Sequence, residues 1–172
     1  MKGSSIRPVD GCAARNVHST GGKPEGSLAD APLEGRVLGL DYGSRRIGVA
    51  VSDPLGWTAQ PLPAIAREGD RKDIAAIGRL AGDLGAASVV LGLPLLMNGD
   101  EGPAAARARA FGAGIEADLS LPVTMWDERL TSAQSERHLI DSGVRRGRRR
   151  EIRDSLSAMF LLQSYLDLRN RK

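Results

Sequence analysis

Val37-Leu38-Gly39-Leu40-Asp41-Tyr42-Gly43-Ser44-Arg45-Arg46-Ile47-Gly48-Val49-Ala50-Val51 is the stretch whose reading decides the fold. Its first half is a short apolar run closed by an acid, the pattern of a strand buried on both faces. The turn Tyr42 to Arg45 follows, and Ile47 to Val51 reads as a second strand, hairpin-paired to the first. Asp53-Pro54-Leu55-Gly56 breaks the chain again, and Trp57 to Ile65 reads as a third strand. Pro61 and Pro63 cannot donate ladder hydrogen bonds, so that strand is expected at a sheet edge.

Downstream the pattern changes to alternating helix and strand. Ile74, Ile77, Leu80 and Leu84 recur at helical spacing after Asp70, the expected N-cap. Ser88 to Leu93 is a buried strand by its β-branched apolar content. Pro103 suits the first turn of a helix whose stripe is Ala108, Phe111, Ile115 and Leu119. Pro122 to Trp126 forms another strand, ending at Asp127-Glu128. Thr131 and Gln134 make a capping box for a helix to about Asp141. A last helix is predicted from about Glu151 to Leu168, with a stripe of Ile152, Leu156, Met159 or Phe160, and Leu166. Ser157 and Ala158, both small, are expected to let it approach the sheet closely. Three strands followed by helix–strand–helix–strand–helix predict an α/β fold with a five-stranded mixed sheet. Three strands form an antiparallel meander, and two more join in parallel through right-handed crossovers, with helices flanking. Asp41, the loop Pro94 to Gly99 and Glu128 then fall at the carboxyl ends of strands, where ligands of such sheets gather.

The 172 residues, 41% apolar and 26% charged, amount to one globular domain. Residues 1–34 lack apolar periodicity and are expected to be a disordered tail, with the domain over 35–172. No run of about 18 apolar residues is present, so no membrane partner is expected. Without a signal-peptide pattern, and with the single Cys12 in the polar tail, the expected compartment is the cytoplasm. The net charge of +3 is modest, but its distribution is not even. Arg145, Arg146, Arg148, Arg149, Arg150 and Arg153 form a cluster suited to phosphate contacts, or else a solvated basic turn. Aromatic residues are only 3%, which favours recognition of backbone and shape over stacking on successive bases.

Acids in three separate segments stand out. Asp41 closes a buried strand between Gly39 and Gly43, and is either a site carboxylate or a turn residue bonding the Gly43 and Ser44 amides. Asp127 and Glu128 point to opposite faces, and spacing alone leaves open which one faces a site. Asp154, in a first helical turn, is either a ligand or a partner of the helix dipole. Three carboxylates without a His or Cys cluster suit Mg²⁺, with Mn²⁺ as the substitute, rather than zinc. His138 reads as a helix-surface residue.

Leu38 to Asp53, Val90-Leu91-Gly92-Leu93-Pro94 with Asn98-Gly99 and Glu101-Gly102, Asp127-Glu128-Arg129-Leu130-Thr131, and Asp154 with Ala158, Leu162-Gln163 and Tyr165 together resemble the motifs of the YqgF/RuvX family. That resemblance, over residues 36–168, implies a ribonuclease-H-like fold and a metal-dependent nuclease. It further implies an acidic triad of Asp41, Glu128 and Asp154, with Glu128 taken over Asp127. The implied substrate is nucleic acid, either the 5′ end of precursor 16S rRNA or a four-way DNA junction. Arg145, Arg146, Arg148, Arg149 and Arg150 are the expected nucleic-acid contacts. A binding module without catalysis is the alternative from another class, and it would not need all three acids. An actin-like ATPase is excluded because it needs a second domain of the same size.

Overall fold

Five strands order themselves β3-β2-β1-β4-β5 in a computed structural model that describes residues 35–127 and 149–171. The strands are β1 (Arg36–Tyr42), β2 (Arg46–Ser52), β3 (Ala59–Ala66), β4 (Ala86–Leu93) and β5 (Val123–Asp127). The first three pair antiparallel and β1, β4 and β5 run parallel, so the expected meander with two parallel additions is what forms. The proline-bearing β3 lies at one edge, as its missing donors require.

Helices α1 (Asp70–Leu84) and α2 (Pro103–Leu119) cover one face, and α3 (Arg149–Asn170) covers the other. Side-chain alternation divides the strands between them. Leu38, Leu40, Val49, Val51, Val89 and Leu91 meet Ile74, Ile77, Phe111 and Ile115 of α1 and α2. Val37, Ala50 and Val90 meet Ala158, Leu161, Leu162, Tyr165 and Leu166 of α3. The first face is filled by large side chains. The second presents glycines, and α3 therefore lies close against the strands. A Cβ on Gly39 would sit 2.7 Å from the Leu162 Cβ, and one on Gly48 would sit 2.1 Å from the Asp154 carbonyl oxygen.

Two expectations are corrected. Asp70 is the first residue of α1 and not its N-cap; Gly69 holds that position at φ 113°, a conformation that glycine adopts without strain. No side chain caps the helix; Asp73 instead ties down the approach to it, its carboxylate accepting the Glu68 amide at 2.9 Å. The buried face of α3 is also rotated from the predicted stripe. Ser155, Ala158, Leu161, Leu162, Tyr165 and Leu166 are buried, whereas Leu156, Ser157, Met159 and Phe160 are only partly covered. The reason is the glycine seat: the helix comes down on Gly39 at Leu162 and on Gly48 at the Asp154 backbone, and those contacts set which face is buried. The capping box at Thr131 and Gln134, and residues 1–34, lie outside the described residues.

Candidate active site

β1 carries Asp41 to the carboxyl end of the parallel strands. It pairs with Gly48 of β2, and in the next rung Leu40 lies level with Leu91 of β4. Odd positions of β1 face α3: Val37 packs in the α3 core and Gly39 touches Leu162. Asp41 follows on that face. A Cβ built on Gly48 would lie 3.3 Å from the Asp41 Cβ and 2.8 Å from the Asp154 carbonyl carbon, so Asp41 and Asp154 flank the same missing side chain. Only glycine at position 48 allows the first turns of α3 to come down beside Asp41.

The register of α3 is held by side-chain bonds to the edge of the sheet. Ser155 Oγ donates to the Leu62 carbonyl at 2.6 Å. Two turns on, Gln163 Oε1 accepts the Ala59 amide at 2.8 Å while its Nε2 donates to the Trp57 carbonyl at 2.9 Å. These bonds fix where Asp154 stands along the sheet.

Burial, and then the negative charge of Asp154, push the Asp41 carboxyl up to about 6. No hydrogen bond or cation among the described residues offsets this. The turn reading of Asp41 is not what forms, because the Gly43 amide bonds the Asp41 backbone carbonyl at 3.0 Å. The carboxylate lies within electrostatic reach of Asp154.

Arg67, which no motif singled out, clamps the turn that follows Asp41. Its Nη1 donates to the Gly43 carbonyl at 3.1 Å, Nε to the buried Asp73 at 2.7 Å, and Nη2 to Asp70 at 2.6 Å. The guanidinium also lies 4.2 Å from the Tyr42 ring centroid, and Tyr42 in turn donates to Asp70 at 2.8 Å. A cation whose three nitrogens each bond a group of the fold, and which is itself mostly covered, is a fixture of the turn.

Asp127 ends β5 opposite Leu93. Met125 packs on the α1–α2 core and Trp126 on the α3 core, so alternation gives Asp127 the face away from Asp41. Glu128, His138, Arg145, Arg146 and Arg148 lie outside the described residues, and Arg149 and Arg150 are described only as the start of the α3 backbone. Among the described residues no three metal-ligating side chains cluster. Asp41 and Asp154 are the two members of the expected triad that the described residues bring together.

Residues 35–168 match the model of a family described as "RuvX: Holliday junction resolvase". This chain belongs to the RuvX family. Among relatives of the family, a protein of Pelotomaculum thermopropionicum named "Putative pre-16S rRNA nuclease" is 46% identical over 137 residues, 79% of this chain and 89% of the relative. One of the same name from Clostridium beijerinckii is 45% identical over 137 residues, covering 80% and 99%. RuvC of Thermus thermophilus, solved in complex with a Holliday junction substrate, superposes with a TM-score of 0.52 at 12% identity, covering 80% of this chain and 97% of RuvC. At that identity the likeness is one of fold, and the fold is that of the ribonuclease-H-like resolvases. Both names given to RuvX relatives are those of enzymes that cut nucleic acid.

Proposed function

We propose that this protein is a divalent-metal-dependent nuclease that trims the 5′ end of precursor 16S rRNA in the cytoplasm. The single observation that carries the proposal is the meeting of Asp41 and Asp154 across Gly48, with burial and Asp154 both opposing the charge of Asp41. Two carboxylates kept close at the open end of a sheet, one with its pKa raised by burial and then by the other, form a site that favours a cation. Their oxygens are the hard donors that Mg²⁺ or Mn²⁺ prefers. The third ligand in this reading is Glu128, and the orientation of Asp127 towards the α1–α2 face supports the choice between the two neighbours. A bound Mg²⁺ ion supplies an activated water and charge stabilisation at the scissile phosphate.

The chain's own residues do the positioning. Ser155 and Gln163 hold α3 in register, Gly48 sets its distance from β1, and Arg67 fixes the turn behind Asp41. Arg145, Arg146, Arg148, Arg149 and Arg150 precede or open the helix that carries Asp154, and in this reading they bind substrate phosphates. No described helix is long and apolar enough to cross a membrane.

Junction cutting is the second reading, favoured by the family's description. The test places purified protein with Mg²⁺ on a precursor 16S 5′ leader and on a four-way DNA junction, side by side. Faster cleavage of the leader, lost in EDTA, supports the first reading; preference for the junction supports the second. Cleavage of neither would refute both and leave a binding module.

A further inference from the structure

β4 does not end in an ordinary loop. Beyond Leu93 the chain rises into a small finger, closed by an antiparallel bridge between Leu95 and Glu101. The Leu96 amide donates to the Asp100 carbonyl at 2.9 Å and the Gly99 amide to the Leu96 carbonyl at 2.8 Å. Asn98 ties the turn through both ends of its amide, accepting the Asp100 N–H at 3.1 Å and donating to the Asp100 carboxylate at 2.6 Å. Gly99, at φ 90°, makes the reversal. The base is anchored to α2 by Arg109, whose guanidinium grips Glu101 through both carboxylate oxygens.

Such a stiff, polar-bonded turn would ordinarily end in polar side chains. Its tip is instead Leu96 and Met97, 51% and 95% exposed, the latter the most exposed of the described large apolar side chains. Leu96 leans on the base of the finger, within 3.3 Å of where a Gly102 Cβ would be, and Met97 projects alone. The finger is also placed at the site. Register puts Gly92 one step beyond the Leu40–Leu91 rung, level with Asp41, and the finger begins two residues further, roughly 7 Å along the strand. The exposed Trp57, by contrast, lies in the β2–β3 turn at the other end of the sheet.

We infer that Leu96 and Met97 form an apolar wedge that enters a base step of the nucleic acid beside the phosphate that a cation at Asp41 and Asp154 would hold. This rests on the nuclease reading above and adds to it how the strand is presented. Unbranched methionine is slim enough to slip between bases, and aliphatic wedges that unstack a step bend the backbone locally. A rigid root lets the wedge act without first being ordered. Its role is to position the substrate, and it makes the enzyme select steps that unstack easily, such as helix ends and branch points.

The test uses the precursor 16S leader and the four-way junction, each carrying 2-aminopurine at successive positions around the mapped cut. Ca²⁺ replaces Mg²⁺ so that binding is read without cleavage. Wild type should raise the fluorescence several-fold at one step, because 2-aminopurine brightens on unstacking. Met97→Ala should lose that rise and slow single-turnover cleavage about tenfold or more, with affinity changed less than about threefold; Met97→Leu should retain both. Wild type that binds and cuts without brightening any position, or Met97→Ala that brightens and cuts like wild type, overturns the wedge alone and leaves the tip to a protein partner. Wild type that binds neither probe overturns the nuclease reading and the wedge with it.

Discussion

Replacing Asp41 by Asn should make the metal-free protein more stable while abolishing its activity. Asp41 ionises near 3.8 in an unfolded chain and at about 6 in the fold, where burial and Asp154 oppose its charge. The folded state therefore binds more protons across that window, and stability falls as pH rises through it. Below 3.8 the group is protonated in both states and nothing is lost; above about 6 the loss is complete. The gap corresponds to on the order of 3 kcal/mol. Asn removes the charge at nearly constant volume but keeps a polar amide to desolvate, so a net gain of about 1–2 kcal/mol at pH 8 is expected. For a domain of this size that is a rise of roughly 3–10 °C in Tm. Thermal unfolding of both proteins in EDTA at pH 4 and pH 8 measures it, and the two curves should converge at the lower pH. Added Mg²⁺ should stabilise wild type by mass action and leave Asp41→Asn unmoved. A variant less stable than wild type at pH 8, or one whose advantage does not change between pH 4 and pH 8, would refute the account of Asp41 as an unneutralised carboxylate.

Gly48→Ala should lose 2–3 kcal/mol or more by urea unfolding, since its Cβ would enter the Asp154 backbone, and the protein that remains folded should cut poorly because its carboxylates are forced apart. Glu128→Gln should reduce the cleavage rate by orders of magnitude and Asp127→Asn far less; the opposite ranking in single-turnover assays means that the strand parity has been misassigned. Neutralising Arg146, Arg148 and Arg149 together should weaken binding to all substrates alike and lower the slope of log affinity against log salt by about 0.7–0.9 per lost phosphate contact, with little effect on Tm. Parallel salt lines at unchanged affinity would reduce the cluster to a solvated turn.

The sheet was legible because its strands are written in the period that pairing needs. Val37 to Leu40 and Ser88 to Leu93 are continuous apolar runs, and they became the two adjacent parallel strands covered on both faces. Pro61 and Pro63 located the edge before any pairing was known. The face of α3 was not legible from side-chain size. A stripe drawn through Leu156 and Phe160 assumes a sheet surface of ordinary height, and Gly39 and Gly48 lower that surface. Arg67 was hidden for a related reason: an arginine in Arg67-Glu68-Gly69-Asp70 reads as solvated, and only the packing shows each of its three nitrogens bonded to Asp73, Gly43 or Asp70. Asp41 and Asp154 each stood out from their local sequence, but only resemblance joined them in one site, because no local pattern links Asp41 to an acid so far along the chain. Gln163 has its role set by partners more than a hundred positions away, which no local pattern could show.

That separation has a consequence for when the enzyme becomes competent. Asp41 belongs to the first strand synthesised and Asp154 to a helix made on the order of ten seconds later at bacterial translation speeds. Until α3 lies down on Gly39 and Gly48, the front half of the domain holds one acid without its mate. If the pair is the metal site proposed above, a growing chain that carries β1 to β5 has no complete site to turn on the RNA-rich machine that makes it. Docking of α3 is then both the closing event of folding and the arming of the blade, and a truncated product is left unarmed.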